Sequence, residues 1–127
     1  MFRLDKRKIF LLYQYYLLGE VREFTDQNLK NQERIAWLNN CQKKEKYLRE
    51  KVDENLKEGW HFSHLPPLEK AILISGVYEL SLKQNSNYGK MVIDQIINFS
   101  KVYLEENKHK YVNKNLDLFW KKLIKQS

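Results

Sequence analysis

The sequence predicts an all-α protein, and three observations support that fold class. No stretch of the chain alternates apolar and polar residues with the two-residue period of an amphipathic strand. Apolar residues instead recur at the three- and four-residue spacing of helices. The 127 residues include only four glycines and two prolines, few for a fold made of strands and turns. We expect about six to seven helices in one domain, 1–127, which is large enough to bury a core without disulfides or metal ions.

The first helix is predicted from about Asp5 to Leu18, and Gly19 is a suitable residue to end it. Its apolar residues at core spacing are Ile9, Leu12, Tyr13 and Tyr16. A basic start before an apolar run is also typical of a signal peptide, but Gln14 and three tyrosines interrupt this run and no cleavage site follows. The run is far shorter than the roughly 20 residues that span a bilayer. We therefore expect a core helix in a cytoplasmic protein that does not bind a membrane.

The next two helices are predicted to be less buried than the first. A partly exposed second helix should run from Thr25, a suitable N-cap, to about Asn39. The apolar stripe of this helix consists of Leu29, Ala36 and Trp37. A third, amphipathic helix is predicted in a run of alternating Lys and Glu, and Gly59 is expected to end it. Its apolar residues recur every four positions and are Leu48, Val52 and Leu56.

The fourth helix is predicted to be central and buried. Two adjacent prolines cannot lie inside a helix, but Pro67 suits the first helical position, where its missing N–H would have had no partner. Apolar residues follow on two faces between 68 and 80, so this helix should pack on two sides. Ser75 and Gly76 in its middle weaken helix propensity, by up to roughly 1 kcal/mol at the glycine. We therefore predict that another helix crosses closely there.

Two further helices complete the predicted fold. The polar residues 84–87 have turn chemistry, and helical spacing resumes from about Lys90 to Leu104. Residues 105–108 form a second polar turn, and the last helix is predicted from about Lys110. The residues that it is expected to bury are Val112, Leu116, Phe119, Trp120 and Leu123.

No combination of residues indicates catalysis or a metal site. Cys41 is the single cysteine, so it cannot form an internal disulfide and is interpreted as a small buried side chain. His61 and His64 lie three residues apart, but no helix or carboxylate at matching spacing completes a ligand set. Glu79 is interpreted as a structural hydrogen-bond partner rather than an acid catalyst. We expect no enzymatic activity, no metal ion and no cofactor.

The charge of the chain favours a polyanionic partner. Lys and Arg number 23 against 16 Asp and Glu, so the net charge is +7 and the pI is about 9.4. One basic cluster lies at the start of the chain and another follows residue 107, although solvated helix faces also contain such runs. If the first and last helices pack together, these clusters merge around Tyr13 and Tyr111, and single-stranded RNA bases stack on such aromatic rings. Simple core packing explains the two tyrosines equally well.

Four parts of the sequence resemble the NusB family of bacterial transcription antitermination factors. The residues that match the family's central helix are Leu68, Glu69, Ala71, Ile72, Leu73, Val77, Tyr78, Glu79 and Leu80. The segments similar to two downstream family motifs are Val92-Ile93-Asp94-Gln95 with Ser100-Lys101, and Lys110-Tyr111-Val112-Asn113 with Leu116-Asp117. Leu12-Tyr13-Gln14 is similar to the family's Ala-Leu-Tyr-Gln segment. Ile74 stands where the family usually has Arg, and Lys114-Asn115 replaces its Gly-aliphatic pair.

This resemblance implies a bundle of two packed three-helix groups that binds RNA. In the family, NusB and the small-subunit ribosomal protein NusE jointly bind boxA, a short single-stranded element of nascent ribosomal RNA transcripts. The pair joins other Nus factors on RNA polymerase and suppresses termination. The RNA-binding residues that the resemblance and the basic clusters indicate are Arg3, Lys6, Arg7, Lys8, Tyr13, Lys108, Lys110 and Tyr111. Glu69 matches a family position on the surface that faces NusE.

Two other classes of function stay open at this point. The same helical module is found fused to ribosomal RNA cytosine methyltransferases, but a catalytic domain is missing here, so this alternative would require a severed fragment. The second alternative is a helical protein-interaction domain whose basic charge keeps it in solution. RNA binding through phosphates weakens steeply with salt, whereas an apolar protein interface does not, so a salt titration separates these classes.

Overall fold

The computed structural model describes residues 1–21 and 28–125. Within these residues the chain forms six α-helices, one short 3₁₀-helix at Phe62–His64 and no β-strand. The helices are α1 (Lys6–Leu18), α2 (Leu29–Lys43), α3 (Glu45–Glu54), α4 (Pro67–Leu82), α5 (Ser86–Tyr103) and α6 (Lys108–Lys125). The predicted all-α fold is confirmed. None of the helices in the described ranges is long and apolar enough to cross a membrane.

Helix α4 is the centre of the bundle and packs against each of the other five helices. Pro67 occupies its first turn, as predicted, and every residue from Ala71 to Leu80 is buried. The burial extends to more sides of the helix than the two that were expected. An apolar surface on all sides of a helix is stable in water only when other elements cover it. The other helices therefore assemble around α4.

The first three helices contact one another in sequence, as do the last three. Helix α1 runs antiparallel to α4, because Tyr16 lies beside Lys70 whereas Ile9 shares a cavity wall with Glu79. Helix α6 begins beside the first turn of α4 and crosses it at Gly76. Asn115, which replaces an aliphatic residue of the family pattern, is buried and joins the two groups. Its Nδ2 donates to the carbonyl oxygen of Val52 in α3 at 3.0 Å.

Two glycines permit the close packing of helices. A Cβ atom at Gly76 would lie 2.8 Å from both terminal methyl carbons of Leu116, so the predicted crossing is confirmed at this residue. Ser75 instead lines a cavity on another side of α4. A Cβ atom at Gly89 would overlap the indole ring of Trp120, a contact that the sequence did not indicate. Helices α5 and α6 therefore also approach each other closely, at Gly89 and Trp120.

Helix α2 differs most from the prediction. Thr25, the expected N-cap, lies outside the described residues, and the observed cap is Asn28, whose side chain accepts from the N–H of Asn31 at 2.8 Å. The helix continues beyond the predicted end, to Lys43. Leu29 and Ala36 are exposed, so the predicted stripe is wrong in two of its three residues. The buried residues of α2 are Asn31, Trp37, Leu38 and Cys41, because these face α1 and α4.

Three other boundaries also depart from the sequence prediction. Helix α3 ends at Glu54 instead of continuing to Gly59, and Leu56 lies half-buried in the turns that follow. Helix α5 begins at Ser86 because the side chain of Asn85 accepts hydrogen bonds from the N–H groups of Asn87 and Tyr88. A polar run that reads as a turn thus contains an N-cap and a first helical turn. Leu104, predicted at a core position of the helix, follows its end and is half-buried.

The two glycine contacts predict different costs for the same substitution. Gly89→Ala should lower the free energy of unfolding by roughly 1–3 kcal/mol, because the rigid Trp120 ring must move. Gly76→Ala should change the free energy of unfolding far less, because the Cβ meets the flexible end of Leu116. Alanine also has a helix propensity about 1 kcal/mol more favourable than that of glycine. Urea unfolding followed by circular dichroism measures both, with the exposed Asn98→Ala as control. Equal stabilities of the two glycine variants would contradict the difference between the contacts of Gly89 with Trp120 and of Gly76 with Leu116.

Candidate nucleic-acid interface

The N-terminal basic cluster lies at the start of α1, beside the C-terminal half of α4. Arg3, Lys6 and Arg7 are exposed, so their charges are available to a ligand. Lys8 is half-buried, and its Nζ lies 3.6 Å from a carboxylate oxygen of Glu33 and 5.7 Å from the ring centroid of Trp37. Of the four predicted cations, Lys8 is therefore already paired, and Lys6 is exposed with its Nζ 5.9 Å from the ring centroid of Tyr103.

The backbone that carries this cluster is held in place by side chains from other helices. Gln95 of α5 accepts a hydrogen bond from the N–H of Leu4 at 2.7 Å and donates to the carbonyl oxygen of Phe2 at 2.9 Å. Asp5 caps α1 and pairs with Arg34 of α2 at 2.8 Å. Burial raises the pKa of Asp5, but the hydrogen bonds from Arg34 and the N–H of Arg7 outweigh it and hold this pKa below its ordinary value. Arg3 thus lies on an ordered arm.

The second cluster surrounds the first turn of α4. The hydroxyl of Tyr111 donates to Glu69 Oε1 at 2.5 Å, and Lys108 Nζ lies 3.5 Å from the other carboxylate oxygen. Burial, followed by this hydrogen bond, raises the pKa of Tyr111 above its ordinary value, so the hydroxyl remains a donor. Glu69 is only 6% exposed, and Tyr111 and Lys108 cover the carboxylate that the resemblance places on a partner-facing surface.

The structure places the two clusters at opposite ends of α4 rather than in one patch. Helix α6 packs on α3, α4 and α5, whereas α1 packs mainly on α4 and α2 and contacts α5 through Phe10 and Lys6. The N-terminal cluster lies near Glu79 and the second cluster contacts Glu69. Ten helical residues separate these carboxylates, which corresponds to about 15 Å at 1.5 Å per residue. Tyr13 is half-buried on α1 and packs against the core.

The structure also brings together side chains that the sequence did not single out. Trp60 is 43% exposed, and its ring centroid lies 5.6 Å from that of Tyr111 in an edge-to-face arrangement. Both rings line a cleft of about 340 Å³ whose charged side chains are Lys57, Lys114, Lys122 and Glu54. Lys110 is exposed on α6 next to Tyr111 in the chain. The only sequence feature that could have indicated this cleft is a tryptophan directly after Gly59 in a polar linker.

The residues considered for metal binding and catalysis have structural surroundings. Cys41 is buried, and desolvation raises the pKa of its thiol above the ordinary value, as expected for a core residue. His61 and His64 pack ring against ring with centroids 5.8 Å apart. Among residues 1–21 and 28–125, no three His, Cys, Asp or Glu side chains are placed to hold a metal ion. Glu79 accepts hydrogen bonds from Trp37 Nε1 at 2.6 Å and the Tyr88 hydroxyl at 3.2 Å, in agreement with its structural interpretation.

Comparison with known proteins identifies the family of this chain. The NusB family model matches residues 11–119. Proteins named transcription antitermination protein NusB from Helicobacter pylori strain Shi470 and from Helicobacter acinonychis are each 36% identical over 75 residues, which are 59% of this chain. The protein of the same name from Pasteurella multocida is 49% identical over 55 residues, which are 43% of this chain. No solved structure matches significantly.

The matched part of the chain spans about half of the Helicobacter proteins, 52% of their length, and 38% of the Pasteurella protein. The family model, in contrast, extends from within α1 to near the end of α6, and so includes all four resembling segments in full. Helices α2 to α5, Tyr13 and the cluster around Tyr111 lie within this matched range, whereas Arg3, Lys6, Arg7 and Lys8 precede it. On the basis of this match, the chain belongs to the NusB family.

Proposed function

We propose that this protein is a transcription antitermination factor that binds a single-stranded RNA of the boxA type in nascent ribosomal RNA transcripts. The observation that supports RNA binding most directly is the cleft in which Trp60 and Tyr111 lie among lysines. An unstacked base can lie on an exposed aromatic ring while neighbouring cations contact the phosphates on either side. In this role the chain is one RNA-binding domain without catalytic activity, and it acts in the cytoplasm, where bacterial transcripts are made.

The separation of the two basic clusters suits an extended strand. A single-stranded RNA that contacts both clusters must stretch over about 15 Å along the direction of α4. Arg3, Lys6 and Arg7 would then neutralise phosphates at one end, and Lys108 and Lys110 would do so at the other. Tyr13, between the ends on α1, would contact the middle of the strand. Phosphate contacts position such a strand, whereas contacts to the bases determine its sequence.

The proposed protein partner is a NusE-like ribosomal protein, with other Nus factors and RNA polymerase in the complete complex. Glu69 is covered by Tyr111 and Lys108, so we propose that it contributes to this surface indirectly. Its carboxylate would hold the phenol and the ammonium group in fixed positions for both RNA and partner. Two proteins that share one RNA surface bind it more tightly together than either does alone, because the second contact becomes intramolecular.

Substitution of Trp60 tests the aromatic cleft. Trp60→Ala should weaken binding of a boxA-type RNA by roughly 1–3 kcal/mol while the salt dependence stays unchanged, because no phosphate contact is lost. Filter binding across a salt series, with and without the NusE-like partner, measures both quantities. Tyr47→Ala is the matched control, since Tyr47 is also 43% exposed but lies on α3 beside Lys51.

Trp60 is a cleaner probe than Tyr111, because loss of the Tyr111 phenol would leave the buried Glu69 carboxylate without this donor. RNA affinity unaffected by Trp60→Ala would remove this cleft from the interface.

Substitution of single cations should change the salt dependence of RNA binding, which Trp60→Ala should leave unchanged. Arg7→Ala and Lys110→Ala should each weaken binding to all RNA sequences and flatten the salt slope by roughly one phosphate charge. The control is Lys46→Ala, because this exposed lysine lies outside both proposed clusters, in a cleft that it shares with Arg49 and three carboxylates, those of Glu45, Glu50 and Asp53. If Lys46→Ala flattens the slope as much as Arg7→Ala, binding follows total charge and the two proposed clusters have no special role.

A further inference from the structure

A cavity lies between the N-terminal arm, the C-terminal half of α4 and the start of α5. Its volume is about 510 Å³, within the usual range of small-molecule sites. The side chains that determine its chemistry are Arg3, Lys8, Trp37, Ser75, Glu79 and Lys83. It opens beside the N-terminal basic cluster but is distinct from the Trp60 cleft, which lies at the other end of α4. The role proposed for the N-terminal basic cluster does not involve the interior of this cavity.

Ser75 provides an unsatisfied hydrogen-bonding group in this cavity. The residue is 1% exposed, and its Oγ has no hydrogen-bond partner in the part of the chain that the structure describes. A buried hydroxyl without a partner destabilises a folded protein, so native structures contain few such groups. A ligand that reaches the wall formed by Ser75 would supply the missing partner.

Glu79 provides two acceptors on the wall of the same cavity. Trp37 donates to Oε1 and Tyr88 donates to Oε2, so both oxygens are fixed in position. Each carboxylate oxygen has a further lone pair, and the pair of oxygens can therefore accept two parallel hydrogen bonds. Guanine presents such a pair of donors, N1–H and the N2 amino group, on its Watson–Crick edge. Uracil presents one N–H group flanked by two carbonyl oxygens, which a carboxylate repels.

The remaining walls suit the other parts of a nucleotide. Trp37 and Tyr88 provide aromatic surface, and the Nζ of Lys83 lies 5.3 Å from the ring centroid of Tyr88. Arg3 and Lys83 are exposed cations at the rim, where a phosphate attached to a bound base would lie. A strand held by Arg3 would pass beside this opening, because Arg3 lies at its rim.

We propose that this cavity is a binding site for one unstacked guanine of the bound RNA. Glu79 accepts from N1–H and the N2 amino group, Ser75 supplies a further hydrogen bond, and Arg3 and Lys83 hold the adjoining phosphates. This assignment rests on the proposed RNA-binding function and adds a base preference to it. The same chemistry would also accept a free guanine nucleotide, so the experiment must separate the two sources.

The first arm of the test uses mononucleotides and the full chain. Isothermal titration calorimetry should detect GMP, with UMP bound at least about 10-fold more weakly, since each unpaired polar group in a buried site is costly. Ser75→Ala should weaken GMP binding about 3- to 10-fold, which corresponds to one neutral hydrogen bond. Because Ser75 Oγ has no partner in the free protein, this variant should melt at the same temperature as the wild type or higher. Ser100→Ala is the control for the loss of a buried serine hydroxyl, since the hydroxyl of Ser100 donates to the carbonyl oxygen of Ile96.

The second arm uses RNA oligonucleotides in which each guanine is replaced by uracil in turn. Replacement of one particular guanine should weaken RNA binding to the wild type at least about 10-fold. The same replacement should weaken RNA binding to Glu79→Gln less, because the amide no longer offers two acceptors. RNA binding that depends on salt but on no guanine, together with no binding of GMP, overturns the guanine site and leaves the proposed function standing. GMP binding sensitive to Ser75→Ala without any RNA binding assigns the cavity to a free nucleotide, and overturns both the RNA assignment and the proposed function.

Discussion

The burial of α4 on every side is the constraint on which the rest of this structure depends. A helix with apolar side chains around its whole circumference has no face to offer to water, so each of the other helices covers part of it. The cover is close because Gly76 allows Leu116 of α6 to approach the helix backbone. The order of the helices around α4 then decides which surface residues become neighbours.

Polar groups within such a helix need partners, and the two glutamates of α4 obtain them in the same way. Each accepts a hydrogen bond from a tyrosine of a later helix, Glu69 from Tyr111 and Glu79 from Tyr88. Burial is the main cause that raises the pKa of both phenols, so they stay protonated and continue to donate. The two ends differ in what covers the carboxylate. Lys108 closes over Glu69, whereas Glu79 faces a cavity.

This difference gives the two ends of α4 separate roles in the proposed function. At the first turn, the covered carboxylate fixes Tyr111, and Tyr111 in turn packs against the exposed Trp60. At the last turns, the open carboxylate and the unpaired Ser75 hydroxyl line a space large enough for a base. Cations lie at both ends, so an RNA strand that crosses the bundle surface in the direction of α4 would meet a stacking surface at one end and a hydrogen-bonding pocket at the other.

The sequence by itself determined the fold class, the central helix with Pro67 in its first turn and the close crossing at Gly76, because helix periodicity, proline and glycine act over a few residues. It also indicated which aromatic and basic residues to consider, through the resemblance to the NusB family. Only the tertiary structure decided that Glu69 is covered, that Trp60 joins Tyr111, and that the basic clusters lie apart. Glu69 and Tyr111 are 42 residues apart in the chain, and so are Trp37 and Glu79. Contacts of this kind depend on how all the helices pack around α4, which no local pattern of residues encodes.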